Sequence, residues 1–175
     1  RKIINSKPNR AHYIIAEIEK YKEVSIITQN VDGLHLAAGS INILELHGNI
    51  FKVKCTVCDF KGELDHRFPS IPPICEKCGN YLRPDVVWFD EDPDKSIWSN
   101  AKSITSNSDI IIIVGTSLRV DPANELPLLA KKEKKILIEI NPEETIESNI
   151  MDVSMRTNAI DGLNCLLNLI GQNTI

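Results

Sequence analysis

The chain has 175 residues, enough for one domain, or for one domain with a small insert, at roughly 100–200 residues per domain. Hydrophobic residues at 42% and charged residues at 25% describe an ordinary globular chain with a core to bury, which excludes intrinsic disorder as its main state. Lys and Arg number 20 against 24 Asp and Glu, a formal charge of -4, so nucleic acid is excluded as the main partner and a small molecule or a peptide is expected instead.

In chain order, Pro8 and Asn9 precede residues 11–20, where Ile14, Ile15 and Ile18 recur at helical spacing and predict a helix with one packed face. Residues 24–28 form a short β-branched run, read as a buried strand that delivers Gln29, Asn30, Val31, Asp32 and Gly33 at its C-terminal end. Residues 41–46 predict a second strand, ending at His47 and Gly48. Residues 109–115, apolar without interruption from Ile110 to Val114, predict a parallel strand buried on both faces; residues 135–141 repeat the pattern with one carboxylate, Glu139, inside the run. This longest apolar run is far below the ~20 residues that cross a bilayer, and no signal-like segment opens the chain. A soluble, cytoplasmic protein with no membrane contact is the expectation. Helices are predicted over 94–105, 123–132 and 160–170. Strands alternating with helices imply an α/β fold with a Rossmann-like parallel sheet, in which ligands bind at the C-terminal ends of the strands. Gln29 to Asp32, His47, Gly115 to Ser117 and Asn141 all stand at such ends and would line one crevice. Taken singly, each is equally a set of turn residues.

Five cysteines fit a disulfide framework poorly. Cys55 and Cys58, then Cys75 and Cys78, form two C-x2-C pairs, and each such turn sets two sulfurs close enough to share one metal. Two pairs fill a tetrahedron, so one structural zinc is expected, with disulfides, a redox pair or an iron–sulfur cluster as the alternatives. His66 falls between the pairs and is read as facing solvent. Cys165, among leucines on the last helix, is read as a small buried hydrophobe.

Thr28-Gln-Asn-Val-Asp-Gly-Leu-His35, Glu45-Leu-His-Gly48, the four cysteines, Leu82-Arg-Pro-Asp-Val-Val-Trp-Phe-Asp-Glu91, Gly115-Thr-Ser-Leu118 and Glu139-Ile-Asn141 follow one another along the chain. In that order they resemble the sirtuins, the NAD-dependent protein-lysine deacylases, over nearly the whole length from Pro8 to Leu167. The resemblance implies a partial Rossmann-like NAD domain at 1–50 and 85–175, with a zinc module at 51–84. It implies transfer of the acyl group of acyl-lysine to ADP-ribose with release of nicotinamide. His47 takes the place of the family's general base, a role that suits an imidazole with an unperturbed pKa near 6.5; read alone, it is a hydrogen-bonded strand-end histidine. Asn30 is carried over as catalytic, and Gln29, Asn30, Val31 and Asp32 as the ribose and nicotinamide side of the cofactor site. Gly115, Thr116, Ser117, Asn141, Pro142, Glu143 and Ala159 correspond to its adenosine side. Val87, Trp88, Phe89, Leu118 and Val120 correspond to the channel for an acyl-lysine protein or peptide, although an apolar run with a Trp is more often simply core.

Two departures stand out. The family's Phe-Gly-Glu is Phe89-Asp90-Glu91 here, which sets a charge beside the peptide groove. The family's glycine-rich strand-to-helix turn, which cradles the NAD phosphates, has no counterpart, so the chain reads as the larger, C-terminal part of a catalytic domain lacking its first Gly-rich strand. Strands 24–28 and 109–114 would then each expose an unpaired edge, and the chain alone is expected to be inactive and to bind NAD weakly. The alternatives are a zinc-stabilised interaction module, a non-catalytic NAD-binding module and a mono-ADP-ribosyltransferase.

Overall fold

The computed structural model describes residues 3–63 and 72–172. Helix α1 (Arg10–Ile18) starts where Asn9 caps it: the Asn9 Oδ1 accepts from the N–H groups of Ala11 at 3.0 Å and His12 at 3.4 Å, and the His12 ring accepts from the Asn9 N–H. This reciprocal box satisfies donors that a helix start leaves free. A parallel pair follows, β1 (Ile26–Thr28) and β2 (Ile43–Glu45), linked by the short helix α2 (Leu34–Ala37). Strand β3 (Gly48–Cys55) is flanked antiparallel by β4 (Lys61–Glu63) and β5 (Leu82–Val86). Beyond α3 (Lys95–Asn107), capped by Asp94, comes a second parallel sheet of β6 (Ile110–Val114), β7 (Ile136–Ile140) and β8 (Val153–Met155). Helix α4 (Glu125–Lys132) crosses from β6 to β7, and α5 (Ala159–Gln172) closes the chain.

Two parallel sheets therefore stand where the hydrophobic pattern suggests one, split between strands 24–28 and 109–114 as expected for a chain lacking the first Gly-rich strand. Among the described residues, β1 pairs only with β2, and β6 only with β7. Helices hold the sheets together. Leu126 of α4 packs with Leu46, Ile27 and Leu44 beside β1 and β2, while Ala130, four residues on along the same face, packs with Ile113 and Leu137 of the other sheet. Helix α1 packs on both α5 and α2. Its Ile14 is fully buried against Ile140 and Leu163, and full burial of one such side chain contributes about 1.5–3 kcal/mol.

Strand β6 is not buried on both faces. Ile110 and Ile112 are 48% and 39% exposed, and Ile136, the register partner of Ile110, is 49% exposed. The three share one face of the sheet; its far end, at Val114 and Ile140, is covered by α1 and α5, and the opposite face by α4. A continuous apolar run guarantees that a strand can be buried, not that a layer is present to bury it. Cys165 is exposed, because it lies on the solvent side of α5 while Gly162 and Leu163 face the core. His66 lies outside the described residues.

Gly48 sits where the chain leaves β2 for the antiparallel ribbon. Its φ is +80°, and a Cβ there would lie 2.0 Å from the Asp85 carbonyl oxygen. Both the left-handed backbone and the close approach require glycine. Gly48→Ala is expected to destabilise the fold by at least ~2 kcal/mol, the left-handed penalty plus displacement of β5. Denaturant melts of variant and wild type measure it; equal stability would mean that β3 and β5 are not held in this register.

Candidate active site and metal centre

The four cysteines converge at the root of the β3–β4–β5 ribbon, their Sγ atoms all within 4.8 Å of one another. Cys55 and Cys78 approach to 3.5 Å, Cys58 and Cys75 to 3.7 Å. A tetrahedral zinc with Zn–S near 2.3 Å requires sulfur separations of about 3.8 Å, so the donor set fits one zinc with all four positions taken. The N–H groups of Val57 and Cys58 point at the Cys55 sulfur, both at 3.4 Å. Hydrogen bonds from Asn80 draw the Cys78 thiol down to about 6. Against a hydrogen bond from the Phe60 backbone, burial and the other three thiols push Cys58 up to about 12. Sulfurs this crowded repel one another's charge, and a divalent cation is what lets all four ionise together.

The end of β1 supplies the second constellation. Thr28 Oγ1 accepts the Asn30 N–H at 3.1 Å, and Asp32 Oδ1 accepts the Leu34 N–H at 3.1 Å. The first of these bonds leads the chain out of the strand; the second opens α2. Leu46 donates to the Thr28 carbonyl and Ile50 to that of Val31, both at 2.9 Å, which lays residues 29–32 beside His47. Burial pushes the His47 imidazole below its ordinary 6.5, opposed by a hydrogen bond to the Gln29 backbone. It is neutral at pH 7 and half-buried, the state in which an imidazole accepts a proton. The Val87 N–H donates to the His47 carbonyl at 2.9 Å, so the segment leading to Trp88 and Phe89 starts next to this histidine. Trp88 is 55% exposed and Phe89 fully exposed; they are surface, not core. Arg83 stacks on Trp88 at 4.3 Å and bonds both the Val86 carbonyl and Glu91. Asp90 is exposed, and among the described residues only Leu118 and Lys134 combine a side chain with positive φ. The backbone at Asp90 therefore makes no demand for glycine.

The third constellation joins β6 to β7. The Gly115 N–H donates to the Ile140 carbonyl at 3.0 Å, Asn141 Nδ2 to the Thr116 carbonyl at 2.8 Å, and the Glu143 N–H to Asn141 Oδ1 at 3.2 Å. Gly115 has φ +60° with open space where a Cβ would point, and Ser117, Pro142 and Glu143 are exposed around it. Ala159 is half-buried at the start of α5. Val120 is 49% exposed, whereas Leu118 is buried with Ile113, Ala130 and Leu137. Among the described residues no hydrogen bond links this group to the one at His47; the helices α1 and α4 set their relative placement.

Sequence pattern assigns no role to three further polar groups. Glu139, inside β7, is fully buried; its signals were a carboxylate in an otherwise apolar strand and its place in the Glu139-Ile-Asn141 motif, neither of which showed its partners. Arg83 organises residues 86–91 from within β5. His12 and His35 stack with ring centroids 4.8 Å apart. Burial lowers both their pKa values against the pull of Asp32; for His35, His12 lowers it further and Glu19 opposes. His35 Nδ1 and Glu19 Oε1 are buried with no hydrogen-bond partner among the described residues.

An α/β framework with polar strand ends and a closed four-thiol centre is the class that this geometry defines. The family model for "Sir2 family" matches residues 1–122. NAD-dependent protein deacylase 1 of Caldanaerobacter subterraneus subsp. tengcongensis is 52% identical over 149 residues, covering 83% of this chain and 61% of its own length. The NAD-dependent protein deacylase of Aeropyrum pernix is 45% identical over 161 residues, covering 91% and 66%. A Sir2 homologue solved as an NAD complex aligns with TM-score 0.91 at 41% identity, over 98% of this chain and 68% of its own. A Sir2 structure with a p53 peptide and NAD+ aligns with TM-score 0.88 at 30% identity, over 98% and 73%. The chain belongs to the Sir2 family. It spans 61% and 66% of the lengths of the two curated relatives.

Metal analysis of the purified protein is expected to return one zinc per chain. Chelation should release hydrogen-exchange protection in β3, β4 and β5 before the β6–β8 sheet opens, since a site of this kind supplies local folding energy. Absence of zinc, or a coordination position held by water, would contradict a closed structural centre. The histidine pair makes stability depend on pH. Above 6.5 both imidazoles are neutral whether folded or not; below it the unfolded chain takes up protons that the folded pair refuses, so stability falls as the pH drops toward the lowered folded values. Melting temperatures between about pH 7 and pH 5 should decline less steeply for His35→Gln than for wild type, and identical slopes would show that the pair is not the titrating element.

Proposed function

We propose that this protein is an NAD-dependent protein-lysine deacylase, transferring the acyl group of acyl-lysine to ADP-ribose and releasing nicotinamide. The observation that carries the reading is His47: a half-buried imidazole, neutral at pH 7, beside Gln29 on one side and the segment leading to Trp88 on the other. Relatives named NAD-dependent protein deacylase, and Sir2 homologues solved with NAD and with ADP-ribose, support it. When bound, NAD supplies a ribosyl carbon with nicotinamide as its leaving group, which the carbonyl oxygen of acyl-lysine replaces. His47 removes a proton from a ribose hydroxyl. Gln29, Asn30, Val31 and Asp32 bind the nicotinamide and its ribose through amide, carboxylate and backbone groups, and Asn30 orients the reacting centre. Gly115, Thr116, Ser117, Asn141, Pro142, Glu143 and Ala159 hold the adenosine half. Val87, Trp88, Phe89 and Val120 line the path of the acyl-lysine peptide and exclude water from it, and Leu118, its side chain buried in the core, borders that path through its backbone. The zinc, held by Cys55, Cys58, Cys75 and Cys78, is structural.

In this reading residues 1–50 and 85–175 make up the NAD-binding part and residues 51–84 the zinc module. The protein works in the cytoplasm on protein or peptide substrates, without contact to nucleic acid or membrane; no helix of the described residues is long and apolar enough to cross a bilayer. These 175 residues alone bind NAD weakly and do not turn over. They contain no glycine-rich strand-to-helix turn, the usual source of backbone N–H groups for a pyrophosphate.

Nicotinamide release by the native protein, measured with and without an acyl-lysine peptide, tests the reading. Release that depends on the peptide is expected. His47→Ala should lower it by ~10²–10⁴-fold with the melting temperature and NAD affinity nearly unchanged. The acid limb of kcat/KM should lie below pH 6.5, set by the lowered His47. Peptide-independent release with labelling of protein would point to an ADP-ribosyltransferase, and NAD binding without release to a non-catalytic module.

A further inference from the structure

Glu139 lies within β7, fully buried, in a strand whose other residues are Ile and Leu. Its Oε1 accepts from Thr145 Oγ1 at 2.6 Å and Ser148 Oγ at 2.9 Å; its Oε2 accepts from Ser148 Oγ at 2.8 Å, Ser154 Oγ at 3.2 Å and the Arg156 guanidinium. The Ser148 oxygen in turn accepts the Thr145 N–H at 2.8 Å. One carboxylate thus gathers the loop after β7, the middle of β8 and the residue that follows β8. Burying it is tolerable only because every lone pair is used and Arg156 supplies the opposing charge. Burial pulls its pKa up, but Thr145, Arg156 and Ser148 outweigh that and keep it ionised.

Between Glu139 and the Thr145 that it grips lie only Ile140 to Glu144. That span holds Asn141, whose side chain ties to Thr116 of the neighbouring strand end, and Glu143, whose N–H is fixed by Asn141. Both ends of the span are pinned, one by the sheet and one by the carboxylate. The loop therefore cannot lift without breaking the network.

We infer that Glu139 is a positioning residue for nucleotide binding: through Thr145 and Ser148 its buried carboxylate fixes the loop so that Asn141 and Glu143 meet the ribose of the adenosine half. This rests on the proposed use of that strand end for NAD. Glu139 touches neither nucleotide nor reacting atoms, and its effect falls on affinity and not on the chemical step.

The test uses Glu139→Gln and, to spare the ion pair with Arg156, the double variant Thr145→Val with Ser148→Ala, all in the native protein. Calorimetric titration with ADP-ribose is set beside steady-state kinetics in NAD. The expected result is a Kd for ADP-ribose and a KM for NAD raised roughly tenfold in both variants, the loss of about one charge-assisted hydrogen bond. Values of kcat and inhibition by nicotinamide should stay within about twofold, because the other end of the site is untouched. Unchanged ADP-ribose affinity in the double variant, with wild type binding normally, overturns the inference and leaves the NAD reading standing. A fall in kcat and nicotinamide inhibition parallel to the affinity also overturns it, since that is general loosening. Wild type that binds no ADP-ribose overturns the NAD reading, and this inference with it. If Glu139→Gln does not fold, the double variant decides alone.

Discussion

The chain changes from parallel to antiparallel pairing in one step, at Gly48, and most of the site depends on that step. Where a side chain at this position would stand, the Asp85 carbonyl lies only 2.0 Å from an added Cβ. Strand β5 can therefore lie directly against the start of β3, with Gly48 in register with Val86. Three consequences follow. His47 is held between the end of β1 and the start of segment 87–89. The long strand β3 carries Cys55 eight residues along, to its C-terminal end at the root of the β3–β4–β5 ribbon, where the second cysteine pair meets the first. Arg83, on β5, is left under Trp88, where it orders the exposed apolar segment beside the histidine.

The two parallel sheets present a different balance. Among the described residues both have an unpaired edge, at β1 and at β6, and part of the β6–β7 face is open at Ile110, Ile112 and Ile136. Their relation is kept by helices: α4 has Leu126 in one core cluster and Ala130 in another, and α1 reaches both α5 and α2. Helix packing of this kind is sufficient to hold two strand ends in a common arrangement without a continuous hydrogen-bonded ladder between them.

Much of the site was legible because its residues are unusual for where they stand. Four cysteines in two tight pairs have few other uses, and the structure brings their sulfurs together. Asn30, Asp32 and His47 stood out as polar groups at the ends of apolar runs, and their backbone links place 29–32 beside His47. Cys165 went the other way: a thiol among leucines suggests burial, but the helical phase turns it outward. Trp88 and Phe89 look like core by composition and are surface, because the turn at 88–91 is held by Arg83 and Glu91 and not by packing.

By itself the sequence determined the alternation of parallel strands with helices at β1, β2, β6 and β7, the four-cysteine cluster and the family, since these rest on local periodicity and on residue types with narrow chemical uses. It did not show the β3–β4–β5 ribbon, β8 or α2, whose short or polar segments carry no clear period. Only the tertiary structure decided which strands pair, which face of β6 is left open, that His12 meets His35, and that Glu139 finds five hydrogen bonds from four residues up to seventeen positions away. The physical reason is that a buried charge is tolerated according to its partners in space. A carboxylate inside an Ile-rich strand reads as an anomaly until the donors around it are in place.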